Sequence, residues 1–226
     1  MNPMELLGEG AAPDGAALKL TRRGNEYIIV ANGKSLMSSR MHGSEEALAA
    51  FGCRWARTQE RPCVLVGGLG MGFTLRAALD LLPKRATVVV SELVPAVVEW
   101  NRGLLGPMAG YPLKDRRVRI EIGDVAVTIR NNPGRFHAVL LDVDNGPTPF
   151  TTAENARLYN DEGLAAIRAA LRTDGVLAIW SAREDRKFEQ RLRYGGFKVE
   201  TAQVRARLKE GGPHHVIFVC SRVAWI

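Results

Sequence analysis

The sequence predicts an α/β fold built on a doubly wound, mostly parallel sheet, and three observations carry that reading. From Pro62 onward, short apolar segments alternate with longer segments at helical spacing. Those apolar segments show no polar alternation, which marks strands buried on both faces with crossover helices above and below. The chain then closes on two strand-like runs with no helix between them, so the last strand has to run antiparallel.

The elements follow in order. Residues 1–17 are rich in Gly, Ala and Pro and carry no usable period, so a flexible terminus is expected. Residues 18–21 and 27–30 are strand-like runs separated by Arg22-Arg23-Gly24-Asn25, which supplies turn chemistry, and a third run at 35–37 follows Asn32-Gly33. A small antiparallel β-meander is therefore expected over 18–43. Ser44 is the expected N-cap of the first helix, with Glu45 and Glu46 in its first turn and Ala47, Leu48, Phe51 and Trp55 at helical spacing. A Rossmann-like domain then occupies 44–226. Its strands are expected at 63–66, 87–90, 118–122, 138–141 and 176–180, and its helices at 74–82, 95–105, 125–130, 153–171 and 186–193. After Gly195-Gly196 come strands at 197–204 and 215–219. Ending a parallel sheet in this way resembles the seven-stranded methyltransferase-type Rossmann sheet.

Composition bounds the function. The 226 residues include 31 Lys+Arg and 24 Asp+Glu, a formal charge of +7, with 46% hydrophobic and 24% charged residues. That is a folding composition, which excludes disordered and low-complexity chains, and the length allows a core that needs no staple. Cys53, Cys63 and Cys220 are scattered and odd in number, which fits a reducing compartment. Four histidines without a Cys/His/Asp cluster give no metal site. The opening residues hold Glu5 and Glu9 but no Lys or Arg, unlike a signal peptide, and no apolar run approaches the roughly 18 residues of a membrane span. A soluble, cytoplasmic protein without a membrane partner is expected. Residues 183–210 hold nine basic side chains, but Glu184, Asp185 and Glu189 interleave with them. A solvated helix face is the better reading of that stretch than a nucleic-acid footprint.

In a doubly wound sheet the ligand sits at the carboxyl ends of the strands, so the loops there carry the chemistry. The first is Gly67-Gly68-Leu69-Gly70-Met71-Gly72, between a strand and a helix. Its glycines let the backbone approach a nucleotide or nucleoside closely, and the following helix offers N–H groups. Glu92 ends the next strand about 20 residues on, where a carboxylate can accept from ribose hydroxyls or serve as a charge ahead of the helix at Pro95. Asp124, at a third strand end, can cap the helix from 125 and also accept from an adenine amino group. The fourth loop, Asp142-Val143-Asp144-Asn145-Gly146-Pro147, puts two carboxylates beside that pocket. Asp142, at the end of an apolar strand, suits a group with a raised pKa that takes a proton or holds an amine, or else a turn carboxylate bound to backbone N–H groups.

Together these loops resemble the spermidine synthase family of aminopropyltransferases, from about Leu18 to the C-terminus. The glycine loop with Phe73-Thr74-Leu75-Arg76 is similar to the family's G-G-G-D-G-G-x-x-R/L-R stretch, Ser91-Glu92-Leu93 to its x-E-I-D, and Gly123-Asp124 to its G-D-[AG]. Asp142 to Pro147 is similar to its D-x-x-D-P-x-G-P, and 35–40 with 42–48 to its N-terminal hairpin and first helix. The resemblance implies an S-adenosyl-type co-substrate, S-adenosylmethionine or its decarboxylated form, held by Gly67, Gly68, Gly70, Gly72, Glu92, Asp124 and Asp142. It implies Asp142 as the base for the attacking amine, with Asp144 beside it, and a homodimer.

The departures fall where the family holds its aminopropyl group. Leu69 or Met71 occupies the place of the aspartate on the glycine loop, Val94 replaces the second acid of E-I-D, and Asn145 falls where the second loop aspartate would be unless Asp144 substitutes. Gly43-Ser44-Glu45-Glu46 replaces the family's Y-H-E. Glu45, Glu46, Tyr159 and Trp180 remain to line a site for a cationic amine. Three readings stay open: aminopropyl transfer to an amine, methyl transfer from S-adenosylmethionine to an unknown acceptor, and a nucleoside-binding protein without catalysis. No [DN]-P-P-[FY] motif follows the fourth strand, so nothing supports methylation of adenine or glutamine nitrogen.

Overall fold

The computed structural model describes residues 3–13, 15–143, 157–207 and 212–223. Two sheets organise them. The first is a four-stranded antiparallel meander of β1 (Glu5–Ala11), β2 (Ala17–Arg23), β3 (Glu26–Ala31) and β4 (Lys34–Ser38), in that order. The second is seven-stranded and contains β5 (Cys63–Gly67), β6 (Thr87–Glu92), β7 (Val118–Ile122), β8 (Phe136–Leu141), β9 (Leu171–Ser181), β10 (Lys198–Arg205) and β11 (His214–Ser221). Its order is β10-β11-β9-β8-β5-β6-β7. Strands β5 to β9 pair in parallel, and β11 runs antiparallel to both β9 and β10. This is the methyltransferase-type sheet with its antiparallel end.

The uninterrupted apolar strands have a simple cause. Val64, Val66, Val88, Val90, Ala138 and Leu140 face one layer, while Leu65, Val89, Val139 and Leu141 face the other, and all are fully buried. Helices α1 (Gly43–Gly52), α2 (Phe73–Leu81) and α3 (Pro95–Arg102) cover the first face. Helices α4 (Val125–Arg130), α5 (Asp161–Ala170) and α6 (Arg186–Tyr194) cover the second. Each such side chain contributes about 1.5–3 kcal/mol through burial, so these inner strands carry no polar alternation, while the edge strand β7 does, with Arg119 and Glu121 between apolar residues. The chain moves outward from β5 to β7 and then returns to β8 on the other side of β5. The crevice above the β5 and β8 ends is thus the topological switch point.

Several expectations are corrected. The terminus expected to be flexible carries β1, paired with β2. Its glycines conceal it in the sequence because they lower strand propensity, yet the structure needs them: a Cβ on Gly8 would lie 2.6 Å from Trp100 Nε1, and one on Gly10 2.6 Å from Ala96 Cβ. The meander can lie this close on α3 only because those side chains are missing. Ser44 is not the N-cap of α1. The helix starts at Gly43 with His42 ahead of it and no side-chain cap, because the Ser44 hydroxyl is engaged elsewhere. Helix α3 stops at Arg102, and a short 3-10 turn (Gly106–Ala109) follows. The helix expected over 153–171 is described from Asp161, where Asn160 Oδ1 accepts from Gly163 N at 2.8 Å; residues 153–156 lie outside the described residues. All three cysteines are free thiols.

Candidate active site

The crevice is assembled by backbone hydrogen bonds between strand ends. Asp142 N donates to Gly67 O at 2.9 Å, and Gly68 N donates to Ser91 O at 2.9 Å, which locks β8, β5 and β6 together where their loops begin. Gly68 has φ +86°, and a Cβ there would stand 2.4 Å from the Asp142 carbonyl oxygen. Only glycine lets the loop turn directly beneath Asp142.

Glu92 joins the two neighbouring loops. Its Oε2 accepts from Leu69 N and its Oε1 from Val94 N, both at 2.8 Å. The carboxyl group is almost wholly buried, and desolvation pushes its pKa up against the pull of those N–H groups. Asp124 caps α4, with Oδ1 accepting from Ala126 N at 2.7 Å.

Asp142 Oδ2 accepts from Thr74 Oγ1 at 2.6 Å, on the first turn of α2. Burial pushes the Asp142 carboxyl up to about 6, with the Thr74 bond opposing the shift. Across from it, Glu45 on α1 is pushed up to about 8, chiefly by burial and then by the charge of Asp142. Ser44 Oγ donates to Glu45 Oε2 at 2.7 Å and lies 2.9 Å from His215 Nδ1 of β11. The His215 ring meets Trp180 edge-on at 4.6 Å.

These groups border a cavity of about 220 Å³ between the strand ends and the meander. Leu18, Ile29, Ala31, Leu36 and Met37 form an apolar wall, while Glu45, Glu92, Asp124 and Asp142 supply four carboxyl groups. None of the described lining residues is Lys, Arg or His. Cationic side chains outside the cavity form pairs such as Arg193 with Glu189 and Arg102 with Glu99.

Of the residues singled out in the sequence, Gly68, Gly70, Glu92, Asp124, Asp142, Glu45 and Trp180 line this cavity. Gly67 and Gly72 do not: Gly67 packs against Val125, and Gly72 against Asn101 and Pro112. Glu46 turns away to His42, whose Nδ1 lies 2.7 Å from Glu46 Oε1. Tyr159 is buried on the opposite face of the sheet, edge-on to Phe188 of α6 at 5.4 Å. Leu69 and Met71 are buried in the core cluster. Asp144 and Asn145 lie outside the described residues. The sequence reading missed Thr74, Ser44 with His215, and the meander's apolar wall. A hydroxyl on the first helical turn after the glycine loop was a usable signal for Thr74, whereas nothing in the sequence pairs Ser44 with His215.

No protein-family model and no curated protein matches the sequence. Solved structures do match the fold. A spermidine synthase in complex with the transition-state analogue AdoDATO aligns with TM-score 0.74 and 18% identity, covering 97% of this chain and 73% of that one. The spermidine synthase from Thermotoga maritima gives the same values. A probable spermidine synthase from Corynebacterium glutamicum aligns with TM-score 0.66 and 14% identity over 100% of this chain and 82% of that one. The chain therefore has the methyltransferase-type α/β fold. Within that class its fold is spermidine synthase-like, with the N-terminal meander included in the alignment. Among the described residues no helix is long and apolar enough to cross a membrane, and no His/Cys/Asp/Glu group could hold a metal ion.

Proposed function

We propose that the protein is an aminopropyltransferase that takes decarboxylated S-adenosylmethionine as donor and an amine as acceptor. The observation that carries this reading is the cavity's lining: four carboxyl groups, of which Glu45 holds its proton at neutral pH, and no cationic side chain among its described lining residues. Both substrates are cations, a sulfonium with a terminal ammonium on one side and an ammonium on the other, and such a cavity attracts them. S-adenosylmethionine carries an additional carboxylate, which finds no cationic partner there. This favours the decarboxylated donor over methyl transfer.

Nucleoside binding falls to Gly68 and Gly70 beneath the sugar, Glu92 for the ribose hydroxyls and Asp124 for the adenine amino group. The apolar wall from Leu18 to Met37 suits the thioether end. The donor supplies an electrophilic methylene next to a positive sulfur. Asp142 takes a proton from the acceptor ammonium, and the freed nitrogen lone pair forms the new C–N bond in line with the breaking C–S bond. The bonding pair leaves on sulfur as neutral methylthioadenosine, the product is a secondary ammonium that has taken over the sulfonium's charge, and the proton removed from the acceptor stays on Asp142. Thr74 holds one Asp142 oxygen, so the other is free to face the amine. Holding the two substrates in line supplies most of the rate, and the base supplies a further factor of about 10²–10⁴.

The spermidine synthases that share the fold support this assignment, one of them having been crystallised with a transition-state analogue. Calorimetry tests it. Methylthioadenosine and decarboxylated S-adenosylmethionine are expected to bind at least about tenfold more tightly than S-adenosylmethionine, a difference of about 1.4 kcal/mol. Tighter binding of S-adenosylmethionine would favour methyl transfer, and no binding of any of the three would remove both enzymatic readings.

A further inference from the structure

The aminopropyl reading leaves one proton to be disposed of in each turnover, and it is delivered to a buried pair of acids. Asp142 accepts from Thr74 and borders the same cavity as Glu45, and among the described residues neither carboxyl group is paired with a cationic side chain. A second proton added to this pair has to leave before the next cycle. From Glu45 a continuous hydrogen-bonded path leads outward: Glu45 Oε2 to Ser44 Oγ at 2.7 Å, and Ser44 Oγ to His215 Nδ1 at 2.9 Å. The three residues lie on α1 and β11, and the path ends on a half-buried imidazole beside the exposed His214.

We propose that Ser44 and His215 relay the reaction's proton out of the Asp142–Glu45 pair to solvent. The proposal rests on the aminopropyl reading of the cavity. Asp142 passes its proton to Glu45, Glu45 passes one to Ser44 Oγ, and Ser44 gives its hydroxyl proton to His215 Nδ1. The Ser44 hydroxyl has to turn from Glu45 to His215 Nδ1 before this transfer; the proton it then receives from Glu45 restores its starting bond to Glu45 Oε2, and imidazolium loses a proton to water. No bond between heavy atoms changes, and one proton enters for each that leaves. A hydroxyl suits the middle of such a chain because it donates and accepts at once.

Among the described residues, the titratable groups facing the path are these. Glu45 meets the charge of Asp142, just past the end of β8, and of Glu46 from its own helix, while His215 meets Trp180 from β9 and its neighbour His214. Burial and the nearby His214 charge hold His215 below its ordinary value, so the imidazolium releases its proton readily rather than storing it. The burial of the two carboxyl groups keeps one proton on Glu45 at neutral pH, which leaves Asp142 free to act as the base.

Three variants test the relay: H215Q, S44A and S44T. The measurement is kcat for methylthioadenosine release from decarboxylated S-adenosylmethionine and 1,4-diaminobutane, taken across pH 6–9 in H2O and D2O. H215Q and S44A are expected to lower kcat about tenfold, with a larger solvent isotope effect, while methylthioadenosine affinity stays within about twofold. S44T is expected to recover most of the rate, and added imidazole to restore part of it in H215Q. Rates for H215Q and S44A within about twofold of the unmodified protein at every pH would overturn the relay while leaving the aminopropyl reading intact. A rate loss that is equal at all pH values, unchanged in D2O and insensitive to imidazole would also overturn it, because it would mark a structural role. If the unmodified protein releases no methylthioadenosine, the aminopropyl reading falls and takes the relay with it.

Discussion

Glu45 at the start of α1 and Asp142 at the end of β8 border the same cavity, and the charge of Asp142 helps keep the Glu45 proton in place. Two acids in one low-dielectric site cannot both ionise cheaply, so the pair holds different protonation states at neutral pH. In the proposed reaction that difference makes Asp142 the base and Glu45 the proton carrier.

Replacing Asp142 by Asn keeps the shape and removes the base. D142N is expected to lose about 10²-fold or more in methylthioadenosine release while its affinity for methylthioadenosine changes little. Equal loss of both would show that Asp142 holds the loop rather than the proton.

The raised pKa of Glu45 makes stability depend on pH. The folded chain holds this proton more tightly than the unfolded chain does, so stability is full below the ordinary value of 4.5 and falls as pH rises towards about 8. Asp142 adds to the same slope between 3.8 and about 6. E45Q removes the Glu45 contribution. In urea melts, its stability relative to the unmodified protein is expected to rise by more than about 1 kcal/mol between pH 5 and pH 8. Parallel pH profiles would contradict the buried-acid account.

Gly68 is the backbone pivot of the site. G68A places a Cβ against the Asp142 carbonyl at a positive φ. A loss of more than about 2 kcal/mol in stability, together with weakened methylthioadenosine binding, is expected. An unchanged melting temperature would show that the loop turns elsewhere.

The N-terminal strand gives an independent check of the fold. G10V drives a branched side chain into Ala96, so β1 must lift off α3. Overpacking of this kind costs about 1–3 kcal/mol, read as a lower midpoint in thermal melts. A neutral outcome would place β1 away from α3.

The legible parts of this protein were those whose signal is local. β5, β6, β8 and β9 declared themselves because helices cover both faces of the sheet there, which leaves runs such as Val88-Val89-Val90 no polar alternation, whereas the edge strand β7 alternates as Val118-Arg119-Ile120-Glu121-Ile122. Glu92, Asp124 and Asp142 declared themselves because strand ends are where a doubly wound sheet binds. β1 did not, because its strand character comes from Gly8 and Gly10 fitting against Trp100 and Ala96, a tertiary reason that lowers local propensity. The choice between Glu45 and Glu46 was equally hidden. Successive helical residues point about 100° apart, and only the partners of each, Ser44 and Asp142 for one and His42 for the other, decide which enters the cavity. Tyr159 reads alike in a core or in a pocket, and its packing on Phe188 settles it as core. The Ser44–His215 contact joins residues at opposite ends of the chain and leaves no pattern in either segment.

The most direct test of the aminopropyl reading is a product assay on the unmodified protein. Decarboxylated S-adenosylmethionine and 1,4-diaminobutane are supplied together, S-adenosylmethionine with the same amine in parallel, and the products are separated by mass. Methylthioadenosine and an aminopropylated amine are expected in equal amounts from the first mixture, with nothing from the second. S-adenosylhomocysteine and a methylated amine from the second mixture, with no methylthioadenosine from the first, would contradict the account.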